Sequence, residues 1–108
     1  MNPQNLKSAL DAGKLFMLVD LQDAHSYQHR HIPGAVNVPS TASAEECARI
    51  LPDKDAQIVV YGEYDELGKG GEAINGLKKL GYVSVDRLEG GLMGWMEAGF
   101  AVEGGNES

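Results

Sequence analysis

The chain predicts a single α/β domain built on a mostly parallel sheet, and three observations carry that expectation. Short apolar runs alternate with segments of helical spacing, the pattern of βαβ units. The best of these runs are continuously apolar rather than alternating, as in strands covered on both faces. The 108 residues show no internal repeat, linker or low-complexity block, so one domain spanning 1–108 is expected. Its core falls at about residues 4–103, with a polar tail over 104–108 that is expected to fray.

Each element has a local cause. Leu6, Ala9 and Leu10 lie on one helical face within 5–12, and Gly13 is placed to end that helix. Leu15 to Val19 is a short apolar run closed by Asp20, the first expected strand. Asp23 can cap a short helix through about His29, which Pro33-Gly34 separates from an extended segment, Val36 to Val38. Ser43 and Glu46 form a capping-box pattern for a helix reaching Ile50 or Leu51, stopped by Pro52. Gln57 to Tyr61 is the clearest strand. From about Gly68, the residues Ala73, Ile74, Leu77 and Leu80 repeat at helical spacing up to Gly81. Val83 to Leu88 reads as a strand, "EGG" as a turn, and Leu92 to Ala98 as a last helix ended by Gly99. Trp95 with Leu92 and Met96 forms the stripe expected to pack that helix on the sheet.

Composition narrows the function. Hydrophobic residues make up 43% and charged residues 23%, as in ordinary soluble domains. Cys47 is the single cysteine, so no internal disulfide can form. No signal peptide is visible and no apolar run approaches a membrane span, which sets a reducing cytoplasm as the expected compartment. The net charge of −7, with no Lys/Arg stripe, argues against nucleic-acid binding and weakly against small anionic substrates. No membrane association and no cofactor are expected.

The stretch "IVVYGEYDELGKGGEA", residues 58–73, has a strand-loop-helix layout. In α/β proteins such a loop and the helix start behind it form an anion cradle. Here the loop carries Glu63, Asp65 and Glu66 against Lys69 alone. On each side of it lie further motifs, "LVDLQDAHSYQHRHIPGAVNVP" and "RLEGGLMGWMEAGFAVE". The first resembles the opening signature of the rhodanese family and the second its closing signature. The resemblance covers roughly residues 4–103, with the motifs in the right order and spacing.

That resemblance implies a five-stranded, mostly parallel central sheet with helices on both faces. It also implies a catalytic cysteine directly after the central strand, persulfidated by a donor such as thiosulfate and cradled by loop amides. The matching position is Gly62, which has no side chain to form a covalent intermediate. The interval from Gly62 to Leu80-Gly81-Tyr82 matches the longer loop of single-domain members, whose second cysteine falls at or near Leu67. Carboxylates beside a persulfide would raise the cost of holding it. The expected site is therefore a loop of Gly62, Glu63, Tyr64, Asp65, Glu66, Leu67, Gly68 and Lys69 without a catalytic residue. Asp20 and His31 are possible supporting residues at family-motif positions, and Gln22 stands where members often carry Arg.

Other groups have a bland and a sharp reading. Cys47, flanked by Glu46 in a helix, is expected to be a small buried hydrophobe rather than a thiolate. His25 and His29 are i,i+4 and could share a metal, but no further ligand at suitable spacing completes a set, so no metal is expected. Gly68, Gly70 and Gly71 are expected to keep the loop-to-helix junction pliable. Tyr64, Asp65 and Glu66 form either a solvated loop, a surface for a basic partner, or a site for a neutral or cationic small ligand. The expected function is a binding or regulatory module without sulfurtransferase activity, engaging an unidentified protein or small molecule at residues 62–69. The alternative is an active sulfurtransferase using Cys47 or a partner's cysteine. A related Cys-dependent phosphatase is disfavoured by the same missing cysteine and the lack of a phosphate-binding Arg in the loop.

Overall fold

The computed structural model describes residues 1–14, 16–64 and 69–104. Helix α1 (Pro3–Asp11) precedes strand β1 (Met17–Asp20), followed by α2 (Ala24–His29) and β2 (Val36–Asn37). Then come α3 (Ala44–Ile50), β3 (Gln57–Tyr61), α4 (Lys69–Lys79), β4 (Ser84–Arg87) and α5 (Gly91–Glu97). Asn2 starts α1 earlier than the apolar spacing suggests: its side chain accepts from the Asn5 amide, and Pro3 follows where a helix tolerates proline. Asp23 and the Ser43–Glu46 capping box start α2 and α3 as expected. Gly70 and Gly71 lie inside the first turn of α4. Their place is in the helix itself, which starts at Lys69, before the apolar repeat.

All pairings in the sheet are parallel, in the order β2-β1-β3-β4. Successive β3 residues point to opposite faces, and both faces are buried. Val59 and Tyr61 join Leu6 of α1 and Leu92 and Trp95 of α5 in one core cluster. Ile58 and Val60 join Cys47 of α3 and Leu77 of α4 in the other. This two-sided cover explains why β3 is apolar without alternation. Trp95 is 2% exposed and donates its indole N–H to the Ala101 carbonyl at 2.9 Å, so the apolar ring is buried without stranding its polar atom.

Among the described residues the sheet has four strands. Met1 bonds alongside the end of β4: its amino group donates to the Arg87 carbonyl, and its carbonyl accepts from the Glu89 amide. A separate antiparallel bridge joins His31 to Glu103. Leu15, expected to open the first strand, and residues 105–108 of the expected tail lie outside the described residues.

The "HIPGA" segment has a direct structural explanation. The Ala35 amide donates to the Ile32 carbonyl across Pro33-Gly34, with Gly34 at φ +88°. That is a turn with proline at its second position and a left-handed glycine at its third. The turn is tied to α2 by the Tyr27 hydroxyl, which donates to the Ala35 carbonyl at 2.6 Å. Asn37 then locks β2 to the end of β1, donating to the carbonyls of Asp20 and Gln22.

Candidate functional site at the carboxyl edge of the sheet

Parallel strands deliver their following loops to one edge, where a crevice opens at the point of reversed strand order. Here β1 is that point, with β2 on one side and β3 on the other. A cavity of about 470 Å³ opens there. Gly62, Glu63 and Tyr64 after β3 line it, as do Gln22 after β1, Ser40 after β2, and Arg87 at the end of β4. Its deeper wall is aliphatic, formed by Val19, Val38, Val60 and Leu77.

Gly62 is the first residue beyond β3, and its φ is not left-handed. A Cβ placed there would lie 3.6 Å from the Tyr64 carbonyl oxygen, an ordinary contact. The missing side chain is therefore not enforced by space or backbone. Its carbonyl accepts from the Leu92 amide and that of Glu63 from the Met93 amide, both at 2.9 Å. Two N–H groups in the first turn of α5 are thus spent on the chain leaving β3 and are not directed at a ligand. Gly91 permits this approach: at φ +62°, an added Cβ would lie 2.7 Å from the Gly62 oxygen and 2.8 Å from the Tyr64 carbonyl carbon.

Asp20 is fully buried at the end of β1. It accepts from the Gln22 amide at 2.7 Å and the Gln22 side-chain amide at 2.8 Å. The Tyr61 hydroxyl accepts from the Ile32 amide at 3.0 Å and donates its proton to the Asp20 carboxylate. Burial pushes the Asp20 carboxyl above its usual range, an effect that the hydrogen bonds from Tyr61 and Gln22 only partly offset. The same burial, reinforced by the neighbouring carboxylate, raises the Tyr61 phenol far above its ordinary value. Asp20 therefore braces Tyr61, the last residue of β3, and through it the exit of the chain into the loop. Gln22 also donates to the Arg30 carbonyl.

Cys47 lines the same cavity as Gly62 but from the α3 side, and it is only 7% exposed. Burial, with a smaller contribution from Glu46, pushes its thiol upward. His31 stands elsewhere. Its ring stacks on Tyr27 at 3.9 Å, Nδ1 lies 2.7 Å from the Tyr27 carbonyl, and Nε2 lies 3.7 Å from Glu103. His25 and His29 border a separate hollow of about 190 Å³ that also touches Glu63. Among the described residues no group of three His, Cys, Asp or Glu side chains is arranged to hold a metal.

Of the expected loop site, Asp65, Glu66, Leu67 and Gly68 lie outside the described residues, and Lys69 begins α4. Arg87 and Glu72 at the cavity were not anticipated from the sequence. They come from β4 and α4, and only the strand order places them beside β3. A charged residue ending a strand, as Arg87 does, was the one available signal.

A parallel α/β domain with a cavity at the carboxyl edge of its sheet is the class this geometry defines. The sequence model of the rhodanese-like domain matches residues 2–98, and the chain belongs to that family. The thiosulfate sulfurtransferase PspE of Escherichia coli is 31% identical over 72 residues, covering 67% of each protein. The HTH-type transcriptional regulator Rv0324 of Mycobacterium tuberculosis is 33% identical over 95 residues, 88% of this chain and 40% of the regulator. The probable adenylyltransferase/sulfurtransferase MoeZ of the same species is 30% identical over 98 residues, 88% of this chain and 24% of that protein. The chain thus spans less than half the length of these two relatives. The solution structure of the rhodanese-like domain from the Anabaena protein Alr3790 superposes with a TM-score of 0.87 at 34% identity, covering 100% of this chain and 80% of that one. No helix among the described residues is long and apolar enough to cross a membrane.

Proposed function

We propose that this rhodanese-like domain has lost sulfur transfer at the β3 loop and acts as a binding or regulatory module. The observation that carries the reading is Gly62: the residue leaving β3 at the cavity mouth has no side chain. In the proposed correspondence this is where the family's cysteine stands. Sulfur transfer needs a thiolate to attack the outer sulfur of a donor, forming a new S–S bond while sulfite leaves. Glycine cannot do this, and the one thiol in the sequence is buried with its ionisation opposed. The spent amides of Leu92 and Met93 support the same reading. So do the carboxylates of the 62–69 loop, the region where an unidentified protein or small-molecule partner would engage. A regulatory role is also compatible with a relative named as a transcriptional regulator. The lone cysteine suits a reducing cytoplasm.

The test is thiocyanate production from thiosulfate and cyanide by the purified protein. No product above background is expected; turnover that persists in Cys47→Ser would overturn the proposal. One observation favours a second reading, an active enzyme: Cys47 and Gly62 line the same cavity. Mass spectrometry after thiosulfate treatment separates the two. A gain of about 32 Da on Cys47, one sulfur atom, would select the enzyme, as would sulfur transfer that appears only with a cysteine-bearing partner.

A further inference from the structure

The loss of an anionic sulfur site leaves open what the cavity would hold. From its lining we infer that it takes a small amphiphilic cation, a primary amine on an apolar stem. The inference rests on the reading that sulfur chemistry is absent here. Volume is the first support: about 470 Å³ lies within the range of small-molecule sites. The second is an apolar interior of Val19, Val38, Val60 and Leu77 below a polar mouth. Such a wall accepts a hydrocarbon stem and offers nothing to a small inorganic anion.

Charge decides the head group. Asp23 after β1, Glu63 after β3 and Glu72 on α4 bring three carboxylates to the lining from three elements. Arg87 is the one basic residue among the described lining, and it has an interaction partner. The Asp23 carboxylate also caps α2, accepting from the Ser26 amide at 2.8 Å, which leaves Glu63 and Glu72 as the main partners for a cation. Tyr64, 55% exposed at the same mouth, adds an aromatic face that favours an ammonium over a carboxylate. An anion entering this mouth would meet those carboxylates.

Three probes that share one stem test this: 4-phenylbutylamine, 4-phenylbutan-1-ol and 4-phenylbutanoate, each titrated into the isotope-labelled protein and followed by NMR. Methyl shifts are expected at Val19, Val38, Val60 and Leu77. The amine should bind roughly two- to fivefold more tightly than the alcohol, as expected for solvent-exposed ion pairs, and the carboxylate most weakly. The preference should shrink in Glu63→Gln/Glu72→Gln and at high salt. Equal binding of all three, tighter binding of the carboxylate, shifts away from the cavity, or no binding would each overturn the inference. The thiocyanate assay keeps the two readings apart. Product there sinks the loss of sulfur transfer, whereas a silent assay with no amine preference sinks only the ligand class.

Discussion

Replacing Gly91 with alanine would put a methyl group against the backbone that leaves β3. The added Cβ would sit 2.7 Å from the Gly62 oxygen and 3.1 Å from the Glu63 oxygen, both main-chain atoms that no rotamer change can move aside. Gly91 is also left-handed at φ +62°, which costs a residue with a Cβ about 1–2 kcal/mol. Relieving the collision means parting α5 from the loop, losing the Leu92–Gly62 and Met93–Glu63 bonds at about 1 kcal/mol each. The sum is about 3–4 kcal/mol, or roughly 12–25 °C in Tm for a domain of this size. Gly99→Ala isolates the conformational part, because Gly99 has φ +89° with nothing within 4 Å of its Cβ position. Urea unfolding followed by Trp95 fluorescence gives the stabilities, and hydrogen exchange at the Leu92 and Met93 amides reports the parting. If Gly91→Ala costs no more than Gly99→Ala and both amides stay protected, the α5 clamp on the loop is wrong.

Four further outcomes follow from the same geometry. Gly62→Cys should fold with a Tm close to that of the parent, since the Cβ meets only an ordinary 3.6 Å contact. Its thiol should be alkylated faster than Cys47; equal rates by mass spectrometry would remove Gly62 from the cavity mouth. Cys47 itself should react slowly near neutral pH and speed up only in denaturant, because burial raises its pKa. Asp20 supplies a pH signature: its folded pKa lies above the unfolded value, so the folded state takes up the proton first. Between those two values stability falls as pH rises, and the stability of the parent minus that of Asp20→Asn should increase as pH is lowered through that window. A difference that is flat or moves the other way in urea titrations would refute the buried carboxylate. Finally, Ser43→Ala removes a capping box and should cost about 1 kcal/mol, read as a lower urea midpoint at unchanged m-value.

Much of the fold is legible locally. The α2 and α3 caps, the turn at Pro33-Gly34 and the apolar run of β3 act within a few residues, and the structure uses each of them where expected. The boundaries moved where a non-apolar residue decides them: Asn2 and Pro3 start α1, and Gly70 and Gly71 fall inside α4. Asp20 shows the limit of local reading. Its place at the end of β1 is visible in the sequence, but its partner is not, because Tyr61 becomes its neighbour only when β3 pairs beside β1.

The parallel α/β architecture, the family motifs and the glycine directly after β3 can all be read from the chain alone. Those features reside in residue type and short-range spacing. That Cys47 and Gly62 share one cavity, that Glu72 and Arg87 reach it, and that the first amides of α5 are spent on the loop are consequences of tertiary packing. The physical reason is the strand order β2-β1-β3-β4. It gathers the ends of separate strands at one edge, and close packing of the helices on the two faces then fixes which side chains line the space between them.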